Sequence, residues 1–217
     1  MTAHSQPSTS FQRTPLIIGL GSGRSGTVSL ARLLDAQPGF SVTHEALEFQ
    51  LRAEGSEQLV DDFLGEITGP STRRRGTTVG DVFSAYLYYV EQIVEAFPGT
   101  RFVCLRRDRA STVKSFARKV EPANHWMEHD GTRWMSDPWD ASFPKFSATT
   151  VEEAIGLYWD DYYERASAFE TELNGQFRVF DLEGLNQPEG QAEILAFVGA
   201  PRPKKMVEVW KNRGGQK

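Results

Sequence analysis

The stretch PLIIGLGSGRSGTVSL, residues 15–30, constrains this chain more than any other. Its apolar run reads as a buried strand, and four glycines then fall within residues 19–26. After them, Val28, Leu30, Leu33 and Leu34 stand at helical spacing, and Pro38-Gly39 ends the pattern. A strand, a glycine turn and a helix in that order aim backbone N–H groups at one point. The helix start there carries about half an elementary positive charge, so the unit suits an anion.

The rest of the chain alternates in the same way. FSVTHE reads as a second strand, and residues 46–65 as helical with Gly55 as a weak point. TGPSTRRRGTTVGD reads as a loop and VFSAYLYYVEQIVEAF as one amphipathic helix stopped by Pro98-Gly99. TRFVCLRRD is a third strand, followed by the helix ASTVKSFARKV. Residues 120–149 hold Trp126, Trp134 and Trp139 among prolines and read as an irregular loop over a pocket. A long helix follows with Thr150 as its cap, then the strand QFRVFDLEGL, a short helix PEGQAEILAFVGA and a basic tail. Strands alternating with helices predict an α/β fold of three layers, a central parallel sheet flanked by helices. Ligands of such sheets bind at the carboxyl ends of the strands, where the glycine turn falls. Residues 1–14 are polar and read as a disordered tail, leaving 15–217 as a single domain.

Three templates compete for the glycine turn. The nucleotide-triphosphate loop G-x-x-x-x-G-K-[ST] fails, because Gly19 to Gly23 is one residue short and Arg24 stands for lysine. The dinucleotide pattern G-x-G-x-x-G is met by Gly21, Gly23 and Gly26, with Glu45 placed to hold a ribose. That keeps an NAD(P)-binding oxidoreductase as the alternative reading. The third template is carried by RSGT and the Leu-Leu pair of GRSGTVSLARLL. Arg24 supplies a positive fork, and Ser25, Thr27 and Ser29 supply hydroxyls beside the N–H groups of Gly23, Gly26 and Val28.

A second motif separates these templates. In EAFPGTRFVCLRRDRASTVKSFARK, Arg107 ends a strand and Ser115 follows eight residues later on the next helix. Together with RSGT this resembles the sulfotransferases that use 3′-phosphoadenosine 5′-phosphosulfate (PAPS). VGD at 79–81, YWDDYY at 158–163 and FRVFDLEGL with ILAFVGAP extend the resemblance over most of the chain. Two departures stand out. Val28 sits where that family often has a second hydroxyl residue, and Arg109 where it often has proline.

The resemblance implies a P-loop NTPase-like sulfotransferase fold and transfer of a sulfuryl group to a hydroxyl or amine. It implies PAPS as co-substrate, adenosine 3′,5′-bisphosphate as product and no metal. The donor's 5′-phosphosulfate would lie on residues 23–29 and its 3′-phosphate on Arg107 and Ser115. It further implies a histidine or glutamate base, and Glu45 holds the position used by the glutamate branch. His44 is adjacent. Alternation along an extended segment would turn only one of the two to the pocket, and Glu45 is preferred. Arg24 would stabilise charge on the leaving phosphate oxygen, where loss of one such donor costs roughly 2.7–4 kcal/mol of barrier. A nucleotide-binding module without catalysis is the third reading.

Composition bounds the remainder. Net charge is −5, which gives no global basic footprint for nucleic acid. Cys104 is the single cysteine and lies in an apolar run, so it reads as a small buried residue. No signal peptide or long apolar span is evident, and the expectation is a cytoplasmic protein without a transmembrane segment. The acceptor is a small molecule, carbohydrate or lipid, and oligomeric state is not legible. Arg73-Arg74-Arg75, His125, His129 and the tail KNRGGQK are weaker candidates for anion contacts or base.

Overall fold

In the computed structural model, the described residues are 15–47, 56–69, 78–118, 126–127, 129, 144–202 and 204–208. Five strands form one all-parallel sheet: β1 (Leu16–Gly21), β2 (Phe40–His44), β3 (Thr78–Val82), β4 (Arg101–Arg106) and β5 (Phe177–Asp181). Their order is β2-β3-β1-β4-β5. The helices are α1 (Thr27–Asp35), α2 (Ser56–Thr68), α3 (Val90–Ala96), α4 (Arg109–Ala117), α5 (Val151–Glu172), α6 (Leu182–Leu185) and α7 (Pro188–Phe197).

Period-two alternation in β1 builds both cores. Leu16, Ile18 and Leu20 join Tyr86, Val90, Tyr158 and Tyr162 on one face, while Ile17 joins Leu30, Leu34, Ile194 and Leu195 on the other. The three-layer expectation therefore holds. Cys104 lies fully buried in the first core, and burial pushes its thiol pKa up. Each sheet edge has a backbone N–H taken by a carboxylate: Asp35 accepts from Val42 at 3.0 Å, and Glu170 from Val179 at 2.8 Å.

Two expectations are corrected. Residues 78–82 form β3, near the middle of the sheet, where the sequence reads as loop. Gly80 and Asp81 have poor strand propensity. Yet a Cβ on Gly80 would collide with the Ile17 carbonyl oxygen, so close strand packing requires glycine here. Asp81 is buried and accepts from Thr43 Oγ1 (2.7 Å) and Tyr86 Oη (3.0 Å), which satisfies its carboxylate within the fold. The single helix expected after it is instead a 3₁₀ turn, Ser84–Tyr89, running into α3. Thr150 does cap α5, accepting from the Glu153 N–H at 3.2 Å.

The order also positions the site. From β1 the chain passes β3 to reach β2, and from β3 it passes β1 to reach β4. The neighbouring strands whose connections run to opposite sides are β1, which leads toward β2, and β4, which leads toward β5, and this opens a crevice at their carboxyl ends. The dinucleotide-binding unit pairs β1 directly with β2. Here β3 lies between them, which removes the support that Gly21, Gly23, Gly26 and Glu45 gave to the NAD(P) reading.

Candidate functional site

The turn after β1 is held from three sides. Gly23 N–H donates to the Gly21 carbonyl at 2.7 Å, closing a tight turn. Gly26 has φ 89°, and a Cβ there would stand 2.6 Å from Leu182 Cδ1, so only glycine fits. Arg24 itself adopts φ 53°, a conformation rare for a residue with a side chain.

From this turn the N–H groups of Ser25, Gly26, Thr27 and Val28 find no acceptor among the described residues. Ser25 Oγ is buried without a hydrogen-bond partner. A buried hydroxyl at a helix start with free N–H donors around it fits an anion chemically. Ser29 lies on the first turn, half-buried, and its N–H is taken by the Gly26 carbonyl at 2.9 Å. Val28 leaves its side chain 47% exposed, so its contribution to the turn is backbone only.

The second motif folds onto the first. Arg24 Nε donates to Ser115 Oγ at 3.1 Å, and Arg107 Nη1 donates to the Arg24 carbonyl at 2.9 Å. Residues read as two separate anion sites thus share one patch. Neither guanidinium has a carboxylate in ion-pair range among the described residues. Burial, and then the positive charge of Arg107, lower the pKa of Arg24. The neighbouring arginines are committed elsewhere: Arg106 pairs with Asp181 at 2.9 Å, and Arg109 grips Asp160 through two bonds of 2.8 and 2.7 Å. Arg107 is therefore the arginine of this run that turns to the glycine turn.

The ends of β2 and α1 meet beside it. His44 Nε2 lies 3.1 Å from Thr27 Oγ1 and 3.8 Å from Glu45 Oε1. The expectation that His44 and Glu45 point to opposite faces fails, because Glu45 has φ 50° and strand alternation stops there. Glu45 N–H still donates to the Val82 carbonyl at 3.1 Å, fixing this kink against β3.

Three aromatic residues on α5 fasten the assembly, a role the sequence reading missed. Tyr162 Oη accepts from Gly21 N–H at 3.0 Å and donates to the Ser84 carbonyl at 2.8 Å. Tyr163 Oη donates to the Leu105 carbonyl at 2.7 Å and lies 3.4 Å from Ser22 N. Trp159 Nε1 donates to the Arg107 carbonyl at 3.0 Å. Burial raises both tyrosine pKa values, keeping the hydroxyls neutral donors. Their spacing on one helical face is the signal that would have found them.

Other candidates fall away from this patch. Trp126 is buried and packs edge-on to Phe116, with ring centroids 5.6 Å apart. A broad groove between α4 and α5, lined by Lys114, Arg118 and Leu157, opens on a different face of α4. His129 N–H donates to the Met127 carbonyl at 3.1 Å. Arg73, Arg74, Arg75, His125, Trp134, Trp139 and the segment 211–217 lie outside the described residues. Among the described residues there is no His/Cys/Asp/Glu cluster suited to a metal ion, and no helix long and apolar enough to cross a membrane.

A family model described as a sulfotransferase domain matches residues 16–208. The structure resembles a sulfotransferase from Alicyclobacillus acidocaldarius, with TM-score 0.56 and 16% identity over 93% of this chain and 86% of that one. It also resembles the sulfotransferase domain from the curacin biosynthetic pathway, with TM-score 0.55 and 17% identity over 88% and 76%. These likenesses bear on the fold. No curated protein matches the chain significantly.

Proposed function

The chain belongs to the sulfotransferase domain family, and from that premise we propose that it takes its sulfuryl group from PAPS. The observation that carries this is the shared patch of Arg24, Arg107 and Ser115 beside the free N–H groups of the helix start. Two guanidiniums held together without carboxylates are costly unless anions neutralise them. A donor with a 5′-phosphosulfate and a separate 3′-phosphate supplies both anions to adjoining positions. Residues 23–29 hold the first, and Arg107 with Ser115 the second. Arg24 would span them: Nε is bound to Ser115, which leaves its other N–H groups to donate to the leaving oxygen.

The donor supplies an activated sulfuryl group on its 5′-phosphate. In transfer, the bond from sulfur to the bridging phosphate oxygen breaks as a bond from sulfur to the acceptor oxygen or nitrogen forms. The acceptor's proton passes to a general base, and adenosine 3′,5′-bisphosphate departs. Glu45 is the base, with its carboxylate half-exposed at the crevice, and His44 is the alternative. Arg24 offsets the charge growing on the bridging oxygen.

The test is thermal shift. Adenosine 3′,5′-bisphosphate raises the melting temperature and NAD leaves it unchanged. The opposite pattern restores the dinucleotide reading. Glu45→Gln then separates an enzyme from a binding module, since the enzyme loses transfer while it still binds the nucleotide.

A further inference from the structure

One nitrogen joins the cradle to the proposed base. His44 Nε2 stands between Thr27 Oγ1 and Glu45 Oε1, at 3.1 and 3.8 Å. The longer distance is beyond a hydrogen bond, so Glu45 acts on this nitrogen through its field alone. Thr27 is the first residue of α1, and its own N–H is one of the donors of the turn that find no acceptor among the described residues.

A threonine hydroxyl has one hydrogen and two lone pairs. When Nε2 is bare, that hydrogen goes to His44 and only lone pairs remain for an anion, which repels them. When Nε2 carries the hydrogen, Oγ1 accepts it and the hydroxyl hydrogen is free to turn into the cradle. The carboxylate of Glu45 favours the same state, because it attracts the positive end of the N–H bond.

We propose that His44 is a positioning residue for the donor: its Nε2–H holds Thr27 Oγ1 so that the threonine hydroxyl donates to the donor's 5′ anion. This rests on the reading of the turn as the PAPS site. Anion binding and Glu45 then draw one proton to the same nitrogen, which ties occupation of the cradle to the arrangement of the base.

The experiment measures adenosine 3′,5′-bisphosphate binding by calorimetry in the wild-type protein and four variants. His44→Ala weakens binding about tenfold, the scale of one lost hydrogen bond to this site. His44→Gln, whose side-chain amide donor reaches a similar place, restores affinity to within about threefold of wild type. Thr27→Val matches His44→Ala, and the double variant is no weaker than Thr27→Val alone. In the wild-type protein, imidazole nitrogen NMR shows ligand fixing the Nε2–H form. Equal losses for Ala and Gln, additive effects of the two single changes, or a bare Nε2 in the ligand complex would each overturn the proposal. If His44→Ala does not fold, the wild-type spectrum decides alone. Failure of the wild-type protein to bind the bisphosphate would overturn the donor reading beneath it, and is seen before any variant is compared.

Discussion

Arg24 and Ser115 are 91 residues apart in sequence and share a hydrogen bond of 3.1 Å. The contact exists because β1 and β4 are neighbours, so the turn after one meets the helix after the other. Arg107 then stacks a second positive charge on the Arg24 backbone.

Arg107→Met tests what that patch is for. It removes the charge that, after burial, lowers the Arg24 pKa; it deletes the bond to the Arg24 carbonyl but no ion pair among the described residues. The folded protein alone is expected to keep its melting temperature or gain slightly. Affinity for adenosine 3′,5′-bisphosphate falls about 10- to 100-fold, the size of a lost charge-assisted contact. Calorimetry and a melting curve on the same sample separate the two effects. A large loss of stability with unchanged affinity would make Arg107 a structural residue.

Tyr162→Phe probes the fastening from α5. Its hydroxyl serves the buried Gly21 N–H and the partly buried Ser84 carbonyl at once. Leaving them unpaired costs about 1–3 kcal/mol, measurable as a lower urea midpoint at unchanged slope. Because Gly21 opens the glycine turn, bisphosphate affinity weakens too. An unchanged urea midpoint would show that other groups replace the hydroxyl.

Much of this site was legible because its chemistry is local in sequence. RSGT after an apolar run and before a Leu-Leu helix names its own geometry, and Arg107 with Ser115 lies within one strand-to-helix unit. What sequence did not show depends on pairings between distant segments. β3 is short and carries Gly80 and Asp81, so only its place between β1 and β2 makes it a strand. The kink at Glu45 is a single positive φ that no residue pattern announces. It undid the alternation argument about His44. Tyr162 and Tyr163 read as core aromatics, and they are, but their hydroxyls reach backbone groups from 58 to 141 residues away.

Asp108→Asn isolates a pH effect at the start of α4. The Asp108 carboxylate accepts from Ser111 N–H at 2.8 Å, and this bond, with Arg107 nearby, holds its pKa below the ordinary 3.8. A depressed carboxylate pKa adds stability above the unfolded-state value and loses it as pH falls through the folded one. The contribution is thus whole at neutral pH and disappears in the acid range below 3.8. Asparagine keeps an acceptor oxygen for the cap and cannot titrate. The variant's stability, followed by denaturant melts from neutral pH downward, should fall less steeply than wild type. Parallel curves would remove Asp108 as a source of acid sensitivity.

Gln191→Ala tests how the segment 204–208 is held. Gln191 is 3% exposed, and its amide donates to the Val207 carbonyl at 2.8 Å and accepts from Val207 N–H at 3.0 Å. Gln37 treats Lys205 in the same way, at 2.7 and 3.0 Å, from the far end of α1. Two buried carboxamides thus stand in for a neighbouring strand, pairing with alternate residues of an extended segment. Alanine at 191 strips both bonds from Val207 and the 3.0 Å bond to the Leu185 carbonyl. The expected cost is about 1–3 kcal/mol, with amide exchange at Val207 accelerating and that at the core of β1 unaffected below global unfolding. Gln191→Glu is the sharper variant. It retains the acceptor for Val207 N–H but offers no donor to the two carbonyls, and places a charge among them. It should therefore destabilise at neutral pH more than alanine does, and recover as acid neutralises the carboxylate. Equal behaviour of the two variants at all pH values would show that the carbonyls are served by other donors.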